Sequence, residues 1–199
     1  MLKEADKMEM RKIEKFFVNS FIFNYFHNNF FISKLLKHIQ DNPKNILEIG
    51  CGIGYTTKSI RKRFPNSKIA AIDYDKEQIK IANKLHRNVE NVKFMQGDAT
   101  NLKFKNNTFD AVFEFNVLHH INNYEKAIKE IKRVLKKNKK FYIMDVSKYF
   151  FIPILRNFFP AEAYFTKEEL IKKLEKNKFE IKKYSGERIF YIVAQKYKK

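Results

Sequence analysis

The sequence predicts an α/β fold: a doubly wound, mostly parallel sheet with helices on both faces, closing on an antiparallel strand. Three observations predict it. Short apolar runs alternate strictly with helix-periodic stretches between residues 45 and 146. These runs are apolar along most of their length, as strands covered on both faces are. The last two runs are separated by a stretch short enough for a hairpin. Strict alternation also requires right-handed crossovers, which lay helices on both sides of the sheet.

Each element has its own signal. Residues 45–50 (NILEIG), between Asp41-Asn42-Pro43 and a glycine cluster, read as the first buried strand. Residues 55–64 read as a helix stopped by Pro65, and residues 68–73 (KIAAID) as a strand ending on a carboxylate. A helix over 76–89 and strands over 92–96 and 109–115 follow. Residues 124–137 place Ala127, Ile128, Ile131, Val134 and Leu135 on one helical face, and 141–146 form a fifth strand. The rhythm then breaks into an aromatic, proline-punctuated stretch over 148–165. Thr166 with Glu169 three residues on has the spacing of a capping box, opening a helix that Asn177-Lys178 ends. Strands over 179–184 and 189–195 close the chain around the turn Ser185-Gly186-Glu187.

With 199 residues, 44% hydrophobic and 16% aromatic, the chain has enough apolar surface for one packed domain with appendages and is not a disordered sequence. We divide it into an N-terminal helical lid or cap over residues 1–44 and a main domain over 45–199. The single cysteine, Cys51, excludes an internal disulfide and a zinc knuckle, so no metal site is expected and a reducing cytoplasm is the expected compartment. Residues 1–15 are charged throughout and lack the apolar core of a secretory signal. The net charge of +19 points toward nucleic acid or an anionic membrane surface. Lysine far outnumbers arginine, however, and Asn, Ile and Phe are enriched with it, the pattern that genome-wide compositional bias also produces.

Open parallel sheets bind ligands beyond the carboxyl ends of their strands, at the switch point where connections diverge. Gly50, Cys51, Gly52, Ile53 and Gly54 lie between the first strand and its helix, where glycine permits a tight turn and close approach of a ligand. The same glycines would serve a purely structural turn. Asp73, at the end of the neighbouring strand, can accept both hydroxyls of a ribose lying across that loop. Asp75 is better placed to cap the next helix. Asp98, within Gln96-Gly97-Asp98-Ala99, offers a carboxylate beside a backbone N–H, which suits an adenine edge.

LEIGCGIGY (residues 47–55), AIDYD (71–75), GDAT (97–100) and FDAVFEFNVLHHI (109–121) resemble the class I S-adenosylmethionine-dependent methyltransferases, in order and at family-like spacing. The resemblance covers residues 45–146. It implies a Rossmann-like doubly wound seven-stranded sheet with the last strand antiparallel, and S-adenosyl-L-methionine as cofactor. It assigns Gly50, Gly52 and Gly54 to the methionine side, with Glu48 matching the acidic residue of the motif and Cys51 in the same loop. It also implies that Asp73 holds the ribose, Tyr74 flanks the adenine, Asp98 and Ala99 recognise its edge, and Asn116 stands beside the sulfonium. The loop reads G-x-G-x-G rather than G-x-G-x-x-G, which disfavours an NAD(P)-dependent oxidoreductase, and no Gly-Lys-Ser/Thr phosphate loop is present.

Methyl transfer from a sulfonium needs alignment and water exclusion more than a dedicated catalytic group. Where the acceptor must lose a proton, His120 or His119, just past the fourth strand, is the candidate general base, and similar enzymes favour the position of His120. A structural histidine is the competing reading. Glu114 could orient a substrate amine or be a solvated strand residue. Cys51 has no activating partner and reads as small and buried.

For the acceptor, the aromatic residues of 13–39 read as a lid, and with those of 148–165 as the walls of an apolar, substrate-covering pocket. Neighbouring lysines and Arg156 make peripheral contact with an anionic membrane an expectation. A small or lipid-like acceptor is therefore expected. An RNA or protein acceptor on the basic surface is the alternative, although residues 116–119 lack the Asn/Asp-Pro-Pro-aromatic signature of amino-group nucleic-acid enzymes. A non-catalytic cofactor-binding subunit is disfavoured by the intact loop and both aspartates.

Overall fold

The computed structural model describes residues 32–148 and 165–197. A short helix, α1 (Ser33–Lys37), leads into β1 (Asn45–Ile49), α2 (Tyr55–Arg63), β2 (Lys68–Asp73), α3 (Lys76–Leu85) and β3 (Val92–Gln96). β4 (Phe109–Phe115) is followed by a single 3-10 turn at Leu118–His120, then α4 (Tyr124–Val134), β5 (Leu135–Val146), α5 (Lys167–Lys176), β6 (Phe179–Gly186) and β7 (Ile189–Lys196). The seven strands form one sheet in the order β3-β2-β1-β4-β5-β7-β6. β1 to β5 are parallel, and β7 runs antiparallel between β5 and β6. The order reverses at β1, which pairs with β2 on one side and β4 on the other. The carboxyl ends of β1 and β4 therefore frame the switch-point crevice.

Two apolar layers hold the sheet between helices. On one face α4 and α5 bring Ile128, Ile131, Val134, Leu170 and Leu174 against Val112, Phe141 and Ile143. On the other, Ile32, Leu36, Ile60 and Phe64 of α1, α2 and their flanks meet Ile46, Phe113 and Tyr142, while α3 covers Ala71 and Phe94 with Ile79 and Ala82. Each fully buried Ile, Leu or Phe side chain contributes roughly 1.5–3 kcal/mol. Helix starts follow the chemistry of the chain: Asp75 caps α3 by accepting from Glu77 and Gln78 N–H, and Thr166 and Glu169 form the expected capping box on α5.

The boundaries depart from expectation in three places. The helix expected over 124–137 ends at Val134, and residues 135–140 open β5 instead. Leu135 supplies the last apolar position of the helical pattern, but its side chain is buried beside Phe109, to which it pairs as a strand residue. Asn138, at φ 60°, takes up the register shift between Phe109 and Ala111. α3 stops at Leu85 rather than 89, because His86 leaves the helix to place its ring on Phe94 and its Nε2 3.0 Å from the Ile53 carbonyl. In the closing hairpin Ser185 and Gly186 belong to β6, and the loop is Glu187-Arg188. Gly186 sits at φ 83°, where a Cβ would come within 2.2 Å of the Ile189 carbonyl oxygen, so this position requires glycine.

Of the expected lid, residues 32–44 are packed into the domain: Ile32, Leu36 and Ile39 are buried and Arg63 donates to the Leu36 carbonyl. Residues 1–31, with most of the aromatic lid, lie outside the described residues, as do 149–164 of the aromatic insertion. The ends of that insertion meet, since Lys148 N–H donates to the Phe165 carbonyl at 2.9 Å. Among the described residues no helix is long and apolar enough to cross a membrane.

Candidate cofactor cleft and active site

The glycine loop is stitched to the end of β2. Gly50 and Cys51 N–H both donate to the Ile72 carbonyl, at 2.8 and 3.0 Å, and Gly52 N–H donates to Asp73 Oδ2 at 2.8 Å. Asp73 Oδ1 accepts from Asp75 N–H at 2.9 Å, and the Asp73 carbonyl accepts from Gly97 N–H at 2.9 Å. The ends of β1, β2 and β3 are thereby tied into one rim that carries Gly50 to Gly54, Asp73, Tyr74 and Asp98. The Tyr74 carbonyl accepts from Gln96 Nε2, and Tyr74 itself is half-buried.

All three loop glycines have positive φ, but their surroundings differ. A Cβ on Gly50 would lie 2.1 Å from a Val117 methyl, and one on Gly54 would collide with His86 and Phe94. Those two glycines admit protein. A Cβ on Gly52 would meet nothing nearer than Gln78 Oε1 at 4.0 Å, so the backbone there faces open space. His86, whose ring packs on Gly54 and whose imidazolium form burial disfavours, is a loop-positioning residue that no sequence motif announces.

Glu48 lies fully buried beneath the loop, its Oε1 accepting from the Thr56 hydroxyl. Burial, the largest cause, pushes its pKa up to about 7; Asp73 adds to the rise, and the hydroxyls of Thr56 and Thr57 oppose it. Cys51 is buried as expected, and burial raises its thiol pKa well above the ordinary value, so it is not a thiolate nucleophile.

Asp98 lies two residues beyond β3, its Oδ1 accepting from Thr100 N–H at 2.7 Å and its Oδ2 from the Thr100 hydroxyl at 3.0 Å. It thus shapes the turn after β3, and Ala99 beside it is buried in the core. Asn116, at φ 60°, leaves β4 with its N–H on the Met144 carbonyl at 2.7 Å.

Past β4 the structure gathers charges that the sequence separates. Glu114 is fully buried and not solvated. Its Oε2 accepts from Val117 and Leu118 N–H at 3.0 and 3.2 Å, so it holds the turn that carries the histidines. Burial first, and then the charge of Asp145, push its pKa well above the usual carboxylate range. His119 is buried with Nδ1 2.5 Å from Asp145 Oδ1. The His120 ring lies 3.9 Å from that of His119, and burial and that neighbour hold its pKa well below the usual histidine value. Asp145, on β5, is the member sequence reading missed, because only strand pairing brings it to His119. The turn that carries both histidines meets the cofactor loop at Val117, which packs on Gly50.

A mostly parallel sheet ordered 3-2-1-4-5-7-6, with an aspartate tied to a glycine loop at its switch point, defines a class of nucleoside-cofactor-binding α/β domains. Comparison with known proteins identifies which. Residues 47–143 match the methyltransferase domain family Methyltransf_11. YcgJ, an uncharacterized methyltransferase of Bacillus subtilis, is 32% identical over 102 residues, covering 50% of this chain and 40% of YcgJ. YrhH of the same organism, named as a candidate methyltransferase, is 30% identical over 126 residues, covering 59% of this chain and 69% of YrhH. The crystal structure of an S-adenosylmethionine-dependent methyltransferase from Aquifex aeolicus superposes with a TM-score of 0.75 at 22% identity, over 94% of this chain and 99% of that one. The chain belongs to the class I S-adenosylmethionine-dependent methyltransferase family. Its match spans 32–40% of the length of YcgJ, the norajmaline N-methyltransferase of Rauvolfia serpentina and the malonyl-[acyl-carrier protein] O-methyltransferase of Halalkalibacterium halodurans.

The family's cofactor is S-adenosylmethionine. The residues present fit it. Gly52 leaves backbone exposed to the cleft, and Asp73 has a carboxylate fixed beside it. No side chain caps the amino end of α2, where N–H groups suit a carboxylate.

Proposed function

We propose that this protein transfers a methyl group from S-adenosylmethionine to a small or lipid-like acceptor. The observation that carries this reading is the Gly52 N–H bond to Asp73 beside an open glycine backbone at the switch point. Bound there, the cofactor supplies an electrophilic methyl carbon on a good neutral leaving group. Gly50, Gly52 and Gly54, with Cys51 between them and Glu48 beneath, hold the methionine side. Asp73 binds the ribose, Tyr74 flanks the adenine, Asp98 and Ala99 meet its edge, and Asn116 borders the reacting end. His119 and His120 stand where an acceptor proton would leave. Alignment and water exclusion do most of the work in such a site.

The small-acceptor reading draws support from relatives named for norajmaline, malonyl-[acyl-carrier protein] and demethylmenaquinone. The aromatic segments of the sequence favour an apolar acceptor and contact with an anionic membrane. A nucleic-acid acceptor rests on a different observation: Lys129, Lys132, Arg133 and Lys196 line a concavity of about 300 Å³ at the far end of the sheet. Co-sedimentation with anionic vesicles, set against RNA binding that weakens with salt, separates these acceptors.

Calorimetry with S-adenosylmethionine tests the central reading. The wild type is expected to bind saturably, and Asp73→Ala to bind roughly a hundredfold more weakly, since two charge-assisted hydrogen bonds are lost. A wild type that takes up no cofactor would sink the proposal.

A further inference from the structure

Among the described residues His119, His120, Glu114 and Asp145 form a buried cluster of titratable groups past β4, and its geometry distinguishes between the two histidines. Glu114 and Asp145 occupy adjacent strands, β4 and β5, and both are fully buried. Two carboxylates so placed do not both remain ionised in a low-dielectric interior. Their partners decide which one carries the charge. Asp145 Oδ1 accepts from Val146 N–H at 2.7 Å and faces His119 Nδ1 at 2.5 Å, while its Oδ2 lies 3.3 Å from His119 N–H. Two backbone N–H groups and His119 Nδ1 thus converge on Asp145. Glu114 receives two, both on Oε2, and its Oε1 is buried with no hydrogen-bond partner. Burial and the neighbouring carboxylate favour the neutral form of Glu114, and Asp145 is the carboxylate that His119 Nδ1 faces.

We propose that Asp145 is a positioning residue that fixes neutral His119 with its proton on Nδ1, leaving Nε2 as the proton acceptor for a protic methyl acceptor. The proposal rests on the methyltransferase reading above. A neutral imidazole has one donor and one acceptor nitrogen, so occupying Nδ1–H with a carboxylate determines that Nε2 is the basic atom. When an acceptor O–H is methylated, its electron pair forms the new carbon–oxygen bond and the carbon–sulfur pair stays on sulfur. The acceptor proton passes to Nε2, and the imidazolium so formed is stabilised by the Asp145 charge. Among the described residues Asp145 from β5 and His120 from the same turn contact His119, and Glu114 holds that turn from β4. His120 sits against another imidazole, and burial opposes its charged form.

The test is nitrogen NMR of the protein labelled in its histidines, with the His119 signals assigned by their loss in His119→Gln. The wild type is expected to show neutral His119 with the proton on Nδ1 and none on Nε2. Asp145→Asn is expected to change that tautomer, because the carboxylate that accepts Nδ1–H is removed. A wild-type proton on Nε2 would overturn the proposal, and this result does not depend on the Asp145→Asn protein. So would an Asp145→Asn protein that keeps the wild-type tautomer. Neither readout requires bound cofactor, so failure here is distinguishable from failure of cofactor binding in calorimetry.

Discussion

Gly50 and Gly52 are two residues apart and carry the same letter in the same motif, yet their substitution has different consequences. A non-glycine residue at positive φ costs about 1–2 kcal/mol. Gly50→Ala adds a collision with Val117, where the Cβ would approach to 2.1 Å. Overpacking of that kind typically costs a further 1–3 kcal/mol, so Gly50→Ala is expected to lose roughly 2–5 kcal/mol of stability. Gly52→Ala faces open space and is expected to lose only about 1–2 kcal/mol. Its Cβ would project into the cleft, so its cofactor affinity should fall about tenfold or more. Thermal denaturation of both variants, with calorimetry of the more stable one, checks the pair. Equal losses of stability would mean that the motif is read correctly but its packing is not.

At the scale of elements, α5 offers a measurable start signal. Thr166 accepts from Glu169 N–H at 3.1 Å while Glu169 accepts from Thr166 N–H at 2.7 Å. Thr166→Ala removes half of that exchange and is expected to cost about 1 kcal/mol, read as a shifted denaturation midpoint with an unchanged slope. The helix is also where the chain resumes after the aromatic insertion, so a larger loss would mean that the cap helps hold Phe165 against Tyr124 and Phe190. The capping box, the glycine loop and the strand-ending aspartates were legible because each is a local pattern. The end of α4 was not, because Leu135 satisfies the helical period while its backbone pairs with Phe109, a partner outside any local window.

For the molecule as a whole, the buried acid Glu48 couples stability to pH. Its folded pKa is raised from 4.5 to about 7, so the folded state holds the proton more tightly than the unfolded chain. Between about pH 4.5 and 7 the folded state is the more protonated, and stability falls as pH rises; above about 7 the contribution is flat. The full effect is on the order of 3 kcal/mol. Glu48→Gln cannot ionise and lacks this slope, so the gap between the two proteins' denaturant stabilities is expected to change across that window and nowhere else. Parallel curves would show that Glu48 is not held in the environment described. The comparison with the variant cancels the opposing contribution of His120, whose lowered pKa makes the folded state resist protonation in acid.

The sequence by itself determined the alternation of strands and helices, the closing antiparallel strand and the positions of Gly50, Gly52, Gly54, Asp73 and Asp98 at successive strand ends. These follow from periodicity and turn chemistry, which act over a few residues. Tertiary structure decided that Gly50 and Gly54 make room for Val117 and His86 while Gly52 faces the cleft. It also decided that Glu114 is a buried latch rather than a solvated charge, and that His119 is the histidine joined to a carboxylate. The physical reason is distance along the chain. His119 and Asp145 are separated by 26 residues and meet only because β4 and β5 pair, so the environment that sets their protonation exists only in the folded sheet.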